Sequence, residues 1–161
     1  MAKGDILLRI EGKSTGAITG ESASAAFPGA IDVKEWSWGM VGPTALGGAG
    51  PASRIALQEL RITKGVDRAS TALMSVMRTN EPIKKAVLTV RKSGSSPPVD
   101  YLVVTIERGR ITSFDIGTVA PDQAELVERL SISFEKIEVS YAAQSSLGAK
   151  AAASSFIADV S

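Results

Sequence analysis

At 161 residues and 16.8 kDa the chain has the length of one ordinary domain, enough to bury a core and too short for two full-sized ones. Residues 1–161 are therefore expected to form a single domain. Its 18 basic and 17 acidic side chains leave a formal net charge of +1, which gives no electrostatic footprint for nucleic acid or an anionic membrane. With neither cysteine nor histidine, disulfide scaffolds, thiolate nucleophiles, serine-histidine triads and the usual zinc sites are excluded, and no cofactor is indicated.

The first apolar run, Ile6-Leu7-Leu8-Arg9-Ile10, is broken by Arg9 and too short for a signal-peptide core, so it reads as a strand of a protein made in the cytosol. Ile6, Leu8 and Ile10 alternate with Asp5, Arg9 and Glu11. Ile31 and Val33 occupy odd positions, whereas Trp36 and Trp38 occupy even ones. Ile55 and Leu57 are likewise out of phase with Leu60 and Ile62. Between these runs, residues 36–53 carry no charge, but Gly39, Gly42, Pro43, Gly47, Gly48, Gly50 and Pro51 make the stretch an extended loop over 40–52 rather than a spanning helix.

A helix is predicted over 70–78, capped by Asp67 or Ser70, with Leu73, Met74 and Met77 as its buried stripe, ending before Asn80 and Pro82. Alternation then resumes at Ala86, Leu88 and Val90, at Leu102, Val104 and Ile106, and over 110–116. A long final run over 126–141 slips phase near Glu135-Lys136. A slip of one residue turns the apolar set to the other face unless a bulge bends the strand to absorb it. Repeated slips call for strong curvature, so the expected fold is mainly β, a closed or nearly closed antiparallel barrel with the helix capping an open end. Residues 142–161, rich in Ala and Ser, either dock as a last strand or form a flexible tail.

The chemistry-bearing residues are sparse. Gly47-Gly48-Ala49-Gly50 lacks the Lys and the following helix of a phosphate loop. Glu35, Glu59, Asp67, Glu81 and Glu107 show no paired spacing on one element and read as solvated strand faces, which leaves glycosidase-type chemistry without positive support. Lys84-Lys85 and Arg91-Lys92 read as exposed strand ends, without the interleaved aromatics of a nucleic-acid surface. Trp36 and Trp38 concentrate aromatic surface at one spot, either as a structural anchor or as a platform for a sugar or peptide on a small β-barrel binding module.

Ile31-Asp32-Val33 followed by Trp36-Ser37-Trp38-Gly39 resembles the signature of the haemolysin-coregulated protein (Hcp) family, the tube proteins of bacterial type VI secretion systems. The resemblance continues in order through Gly20-Glu21-Ser22, Leu60-Arg61-Ile62-Thr63-Lys64 into Asp67, Leu88-Thr89-Val90-Arg91-Lys92-Ser93-Gly94, Val99-Asp100-Tyr101-Leu102, and Leu130, Ile132 and Phe134 before Val139 and Tyr141. It implies an antiparallel β-barrel of two curved sheets with one flanking α-helix, and a non-enzymatic homohexamer whose rings stack into a tube, with a spike protein, a contractile sheath and small secreted effectors as partners. It also implies assembly in the cytoplasm followed by secretion through the machine. Stacking would be carried by Met40, Val41, Pro43, Leu46, Gly47, Gly48 and Gly50, with Trp36 and Trp38 anchoring the strand from which that loop departs. Members often end in a strand containing Gly-Trp, whereas Ser154-Ser155-Phe156-Ile157 stands here.

Overall fold

The structure, a computed structural model, describes residues 5–24, 26–42, 55–92, 99–144 and 150–160. In chain order the elements are β1 (Asp5–Gly12), β2 (Gly16–Ile18), β3 (Ile31–Asp32), β4 (Glu35–Ser37), β5 (Met40–Val41), β6 (Ala56–Leu57), β7 (Leu60–Gly65) and α1 (Ala69–Arg78). These are followed by β8 (Ile83–Lys92), β9 (Val99–Thr118), β10 (Leu126–Ser133), β11 (Lys136–Gln144) and β12 (Lys150–Asp159). All the strand pairings are antiparallel. In one sheet β2 and β3 lie on β1, followed by β8, the first half of β9, β11 and β12. In the other, the second half of β9 is followed by β10, β7 and β4.

The two sheets are joined where a strand changes sheet. β9 pairs with β8 and β11 up to Gly109 and with β10 from Arg110 onward. The turn falls at Arg108, whose φ is +54°, and at Gly109, where an added Cβ would fall on the Ser133 carbonyl oxygen. On the opposite side Ile31 and Asp32 pair with β1, and the Val33 N–H donates to the Ile6 carbonyl. The next residue, Lys34, donates its N–H to Thr63 on β7, and β4 continues along β7. A third crossing carries β10 into β11, with the Glu135 N–H donating to the Glu107 carbonyl.

Two of these crossings coincide with phase slips in the sequence, between Val33 and Trp36 and at Glu135-Lys136. The slip between Leu57 and Leu60 falls where the chain passes from the separate β5–β6 arm into β7. The runs at 102–106 and 110–116, expected as two strands, are one strand of 20 residues. The run over 126–141 is two.

Between the sheets lies a core of Leu8, Ile10, Ile31, Leu60, Ile62, Leu73, Leu88, Val104, Ile106, Leu130, Ile132 and Ile137, each at most 2 % exposed. Each such side chain contributes about 1.5–3 kcal/mol relative to leaving it in water. The helix lays Ala69, Leu73 and Val76 onto this core, with Met77 partly buried. Met74, expected in the stripe, is instead exposed, because the buried face follows Ala69–Leu73–Val76 and Met74 lies one position round from it. The terminal residues form β12, described over Lys150–Asp159 rather than as a tail.

Outside the first sheet, one cross-strand row alternates in charge: Glu11, Lys85, Glu107, Lys136 and Asp159 are successive neighbours on β1, β8, β9, β11 and β12. Lys136 Nζ lies 3.5 Å from Glu107. Opposite charges facing one another across strands favour this register over its neighbours. Arg91, expected at an exposed strand end, is buried and stacks its guanidinium on the Phe27 ring, which Arg9 also approaches.

Two predictions follow from the turns. Gly109→Ala is expected to cost roughly 1–3 kcal/mol in chemical unfolding, because the methyl group has to displace the Ser133 backbone. Glu81, after the helix, accepts the N–H groups of Ser14 and Thr15 and the Thr15 hydroxyl, tying the β1–β2 turn to the end of α1. The Thr15 N–H above all, then its hydroxyl, hold the Glu81 carboxyl below its ordinary value, with burial opposing and Ser14 adding to the lowering. That contribution to stability is fully present above the ordinary glutamate value and is lost as the pH falls through the lower, folded one. Unfolding midpoints measured against pH should therefore fall less steeply on the acid side for Glu81→Gln than for the unaltered chain.

Candidate assembly surfaces

Trp36 sits opposite Ile62 on β7, and its ring packs half-buried against the core, as does Trp38 two residues on. Trp38 also meets Phe156 of β12, ring centroids 6.4 Å apart and tilted by 40°. The two tryptophans thus hold the chain just before it leaves the barrel. Beyond them the Gln58 N–H donates to the Gly39 carbonyl, and the β5–β6 arm stands as a separate two-stranded ladder. Leu57 on the arm turns toward the core, whereas Met40 and Val41 are each 50 % exposed and Ile55 is 58 % exposed. Of the residues expected to carry stacking, Met40 and Val41 lie on this arm. Pro43, Leu46, Gly47, Gly48 and Gly50 lie outside the described residues.

Among the described residues the exposed large hydrophobic side chains fall on three parts of the fold. The first is the arm. The second surrounds the helix and the β9–β10 hairpin, with Val66, Met74, Ile116, Val119 and Leu126. The third is the β11–β12 edge, with Tyr141, Phe156, Ile157 and Val160. The outer face of the second sheet is polar by contrast, with Glu35, Thr63, Arg129 and Asp115 in one cross-strand row and Ser37, Arg61, Ser131 and Ser113 in the next. A shallow groove of about 360 Å³ follows these rows. Among the described residues no group of three or more acidic side chains is placed to hold a metal, and no helix is long and apolar enough to cross a membrane.

The helix that borders the second surface is fixed by a network the sequence reading did not assemble. Lys64 points inward from β7 and is fully buried. Its Nζ lies 2.8 Å from Glu128 on β10, also fully buried, and 2.8 Å from Asp67, with the Ser70 hydroxyl at 3.4 Å. Lys64 and Glu128 are register partners and so share a face. Asp67, expected as a solvated carboxylate, also accepts the Ala69 N–H at 2.9 Å, while the Ser70 hydroxyl accepts the Asp67 N–H. The N-cap position itself falls on Arg68, without a side-chain cap bond, so neither expected residue is the cap; Asp67, one residue before it, and Ser70, two residues after it, instead bond across the turn.

Glu21 reaches the same helix start from the other side and accepts the Arg68 N–H at 2.5 Å. Its approach depends on Gly20, where a Cβ would stand 2.6 Å from the Ala30 carbonyl oxygen. The Gly20-Glu21 and Lys64…Asp67 motifs thus meet at one place in the fold. Lys64→Met leaves Glu128 and Asp67 without their cation and is expected to cost roughly 3–5 kcal/mol. In urea titrations the Lys64→Met/Glu128→Leu double variant should recover part of that loss, which a simple packing defect would not do.

A family model described as "Type VI secretion system effector, Hcp" matches residues 7–141. The curated protein Hcp1 of Pseudomonas aeruginosa is 33 % identical over 137 residues, covering 84 % of each chain. This chain belongs to the Hcp family. Its fold also matches solved structures, among them Hcp1 from Salmonella typhimurium, at a TM-score of 0.78 and 23 % identity over 99 % of this chain and 96 % of that one. A type VI secretion system effector from Yersinia pestis matches at 0.75 and 24 % identity, over 97 % and 100 % of the two chains. The Hcp family is a family of structural, secreted proteins of the type VI system.

Proposed function

We propose that residues 1–161 form one Hcp domain that serves as the tube subunit of a type VI secretion system, six copies closing a ring and rings stacking into a tube. The membership of the Hcp family carries this reading. Its physical support is the distribution of exposed apolar side chains. A closed ring uses two different patches of each subunit, and stacking along the axis uses two more, in a contact that need not close. Among the described residues large apolar side chains stay exposed on the arm, around the helix and the β9–β10 hairpin, and along β11–β12, which suits such an assembly better than life as a monomer.

In this reading Met40, Val41, Pro43, Leu46, Gly47, Gly48 and Gly50 carry the stacking contact, and Trp36 and Trp38 brace the strand from which it departs. The protein acts without catalysis. Small effectors travel inside the ring, the spike caps the tube and the contractile sheath surrounds it. Assembly takes place in the cytoplasm and delivery through the machine.

Native mass spectrometry combined with negative-stain imaging tests both levels. The unaltered chain should show the mass of six subunits and ring-shaped particles that stack. Replacing residues 40–52 by a short Gly-Ser linker should keep the six-subunit mass and abolish the tubes. A monomeric mass for the unaltered chain overturns the ring, and stacked tubes after the replacement overturn the role of the loop.

A further inference from the structure

The strands of the second sheet run across those of the first. Val33 still bonds to β1 through Ile6, Lys34 bonds to Thr63 of β7, and Trp38 already meets Phe156 of β12, so β4 and the strands paired with it lead from the β1 edge of the first sheet to its β12 edge. These edges lie four strand spacings apart, about 19 Å. At the β1 edge the second sheet does not stop. Thr63, Arg129 and Asp115 form the cross-strand row beside this seam, and the β9–β10 hairpin continues past it, with Glu125 of the hairpin ion-paired to Lys34. The core face of the sheet continues with it: Ile116 lies in one row with the buried Lys64 and Glu128, and Leu126 is the next residue in the same alternation. Ile116 is 44 % exposed, Leu126 48 %, and Val66, just past the end of β7, 43 %. A core face thus runs out of the barrel uncovered.

At the opposite edge it is the first sheet that ends open. Among the described residues β12 is hydrogen-bonded to β11 alone. Phe156 stands on its core side against Trp38, and Ile157 on its outer side opposite Glu138; they are 41 % and 56 % exposed. We infer that these two edges are the halves of one contact between neighbouring copies: the overhanging hairpin of one copy, with Val66, Ile116 and Leu126, covers the β12 edge of the next, with Phe156 and Ile157. The inference rests on the tube reading and supplies the contact that closes its ring.

The areas match what such a contact requires. Taking about 200 Å² for a fully exposed large side chain, Val66, Ile116, Val119 and Leu126 offer roughly 400 Å² of apolar surface at one edge, and Tyr141, Phe156, Ile157 and Val160 offer roughly the same at the other. An interface of standard size buries about 800 Å² on each partner, a little over half of it apolar, so each edge holds about the apolar share of one contact. The symmetry also fits. The two surfaces differ and lie at opposite edges of one molecule, so every copy can use both at once, head to tail, and a ring can close; either surface paired with itself would stop at two copies. In this contact the second sheet of one copy continues over the first sheet of the next, and the arm is left for stacking.

The test uses two variants that each spoil one edge, read by native mass spectrometry. Leu126→Lys and Ile157→Arg alter exposed side chains, so circular dichroism and unfolding midpoints should stay near those of the unaltered chain. Each variant alone should lose the six-subunit mass and remain a monomer at a concentration where the unaltered chain is fully assembled. Mixed in equal amounts, the intact hairpin of the Ile157→Arg chain meets the intact β12 edge of the Leu126→Lys chain, while the other two edges are both spoiled. The mixture should therefore give a mass of two subunits, one of each variant, a result that misfolding of either chain cannot produce. A six-subunit mass for either variant, or a mixture that stays monomeric, overturns the inference and leaves the tube reading standing on the ring of the unaltered chain. A ring of another number in the unaltered chain overturns the six-fold reading, and the mixture still decides the contact. A monomeric unaltered chain overturns both.

Discussion

A strand that serves two sheets has to bend without giving up its hydrogen bonds, and β9 does so at Arg108-Gly109. The bend requires a positive φ at Arg108 and the absence of a side chain at Gly109, because the carbonyl of Ser133 occupies the space a Cβ would take. Arg108 accepts an unfavourable backbone conformation there and is held by its side chain, with Glu135 2.8 Å and Asp159 3.1 Å from the guanidinium. The Glu135 hydrogen bond, with Asp159 behind it, holds that guanidinium charged still more firmly than usual. The two carboxylates come from the β10–β11 crossing and from the end of β12, so the bend of one strand also places the next crossing and the terminal strand. The β8–β9 and β9–β11 ladders, and with them the middle of the alternating row of charges, end at this corner.

The opposite seam works by a different device. Between Val33 and Lys34 the chain moves its hydrogen bonds from β1 to β7 in a single step. Trp36 and Trp38 then press against the core and keep the chain from peeling away before it enters the arm. The helix packs elsewhere, against β9 and β2. Its N-terminus is gripped by Asp67 and Glu21, and the charge on Asp67 is balanced through Lys64, which is in turn balanced by Glu128. A buried ammonium is costly without partners, so this arrangement adds little net stability while strongly disfavouring any packing that separates β7, β10 and the helix turn.

The curvature of the sheets was legible in the sequence because side-chain alternation is strict: a slip of one residue has to be absorbed by a bend, and the slips at Val33–Trp36 and Glu135-Lys136 mark two of the three crossings. The third stayed hidden because Arg108 and Gly109 interrupt the alternation as a turn does, and a bend within one strand looks the same as a gap between two. The helix was located by its spacing, but its buried face was misjudged at Met74, since adjacent apolar residues on a short helix do not reveal which of them turns inward. Lys64 could not have been placed by hydrophobic periodicity alone, although it falls in phase with Leu60 and Ile62. Its partner Glu128 is 64 positions away, and only the β7–β10 register brings the two together. Arg91 escaped for a similar reason, since the ring that covers it comes from the loop before β3.

A net charge of +1 conceals a surface in which charges are paired locally, along the row from Glu11 to Asp159, between Lys34 and Glu125, and between Lys84 and Glu11. Such pairing leaves little long-range field, so in the proposed assembly copies would meet through short-range fit rather than electrostatic steering. The exposed apolar groups that supply that fit sit where the barrel's own ladders end: at the arm, at the β9–β10 hairpin beside the helix, and along β12. A strand edge left without a partner is where another chain can pair most readily. The arm and the last strand are both such edges.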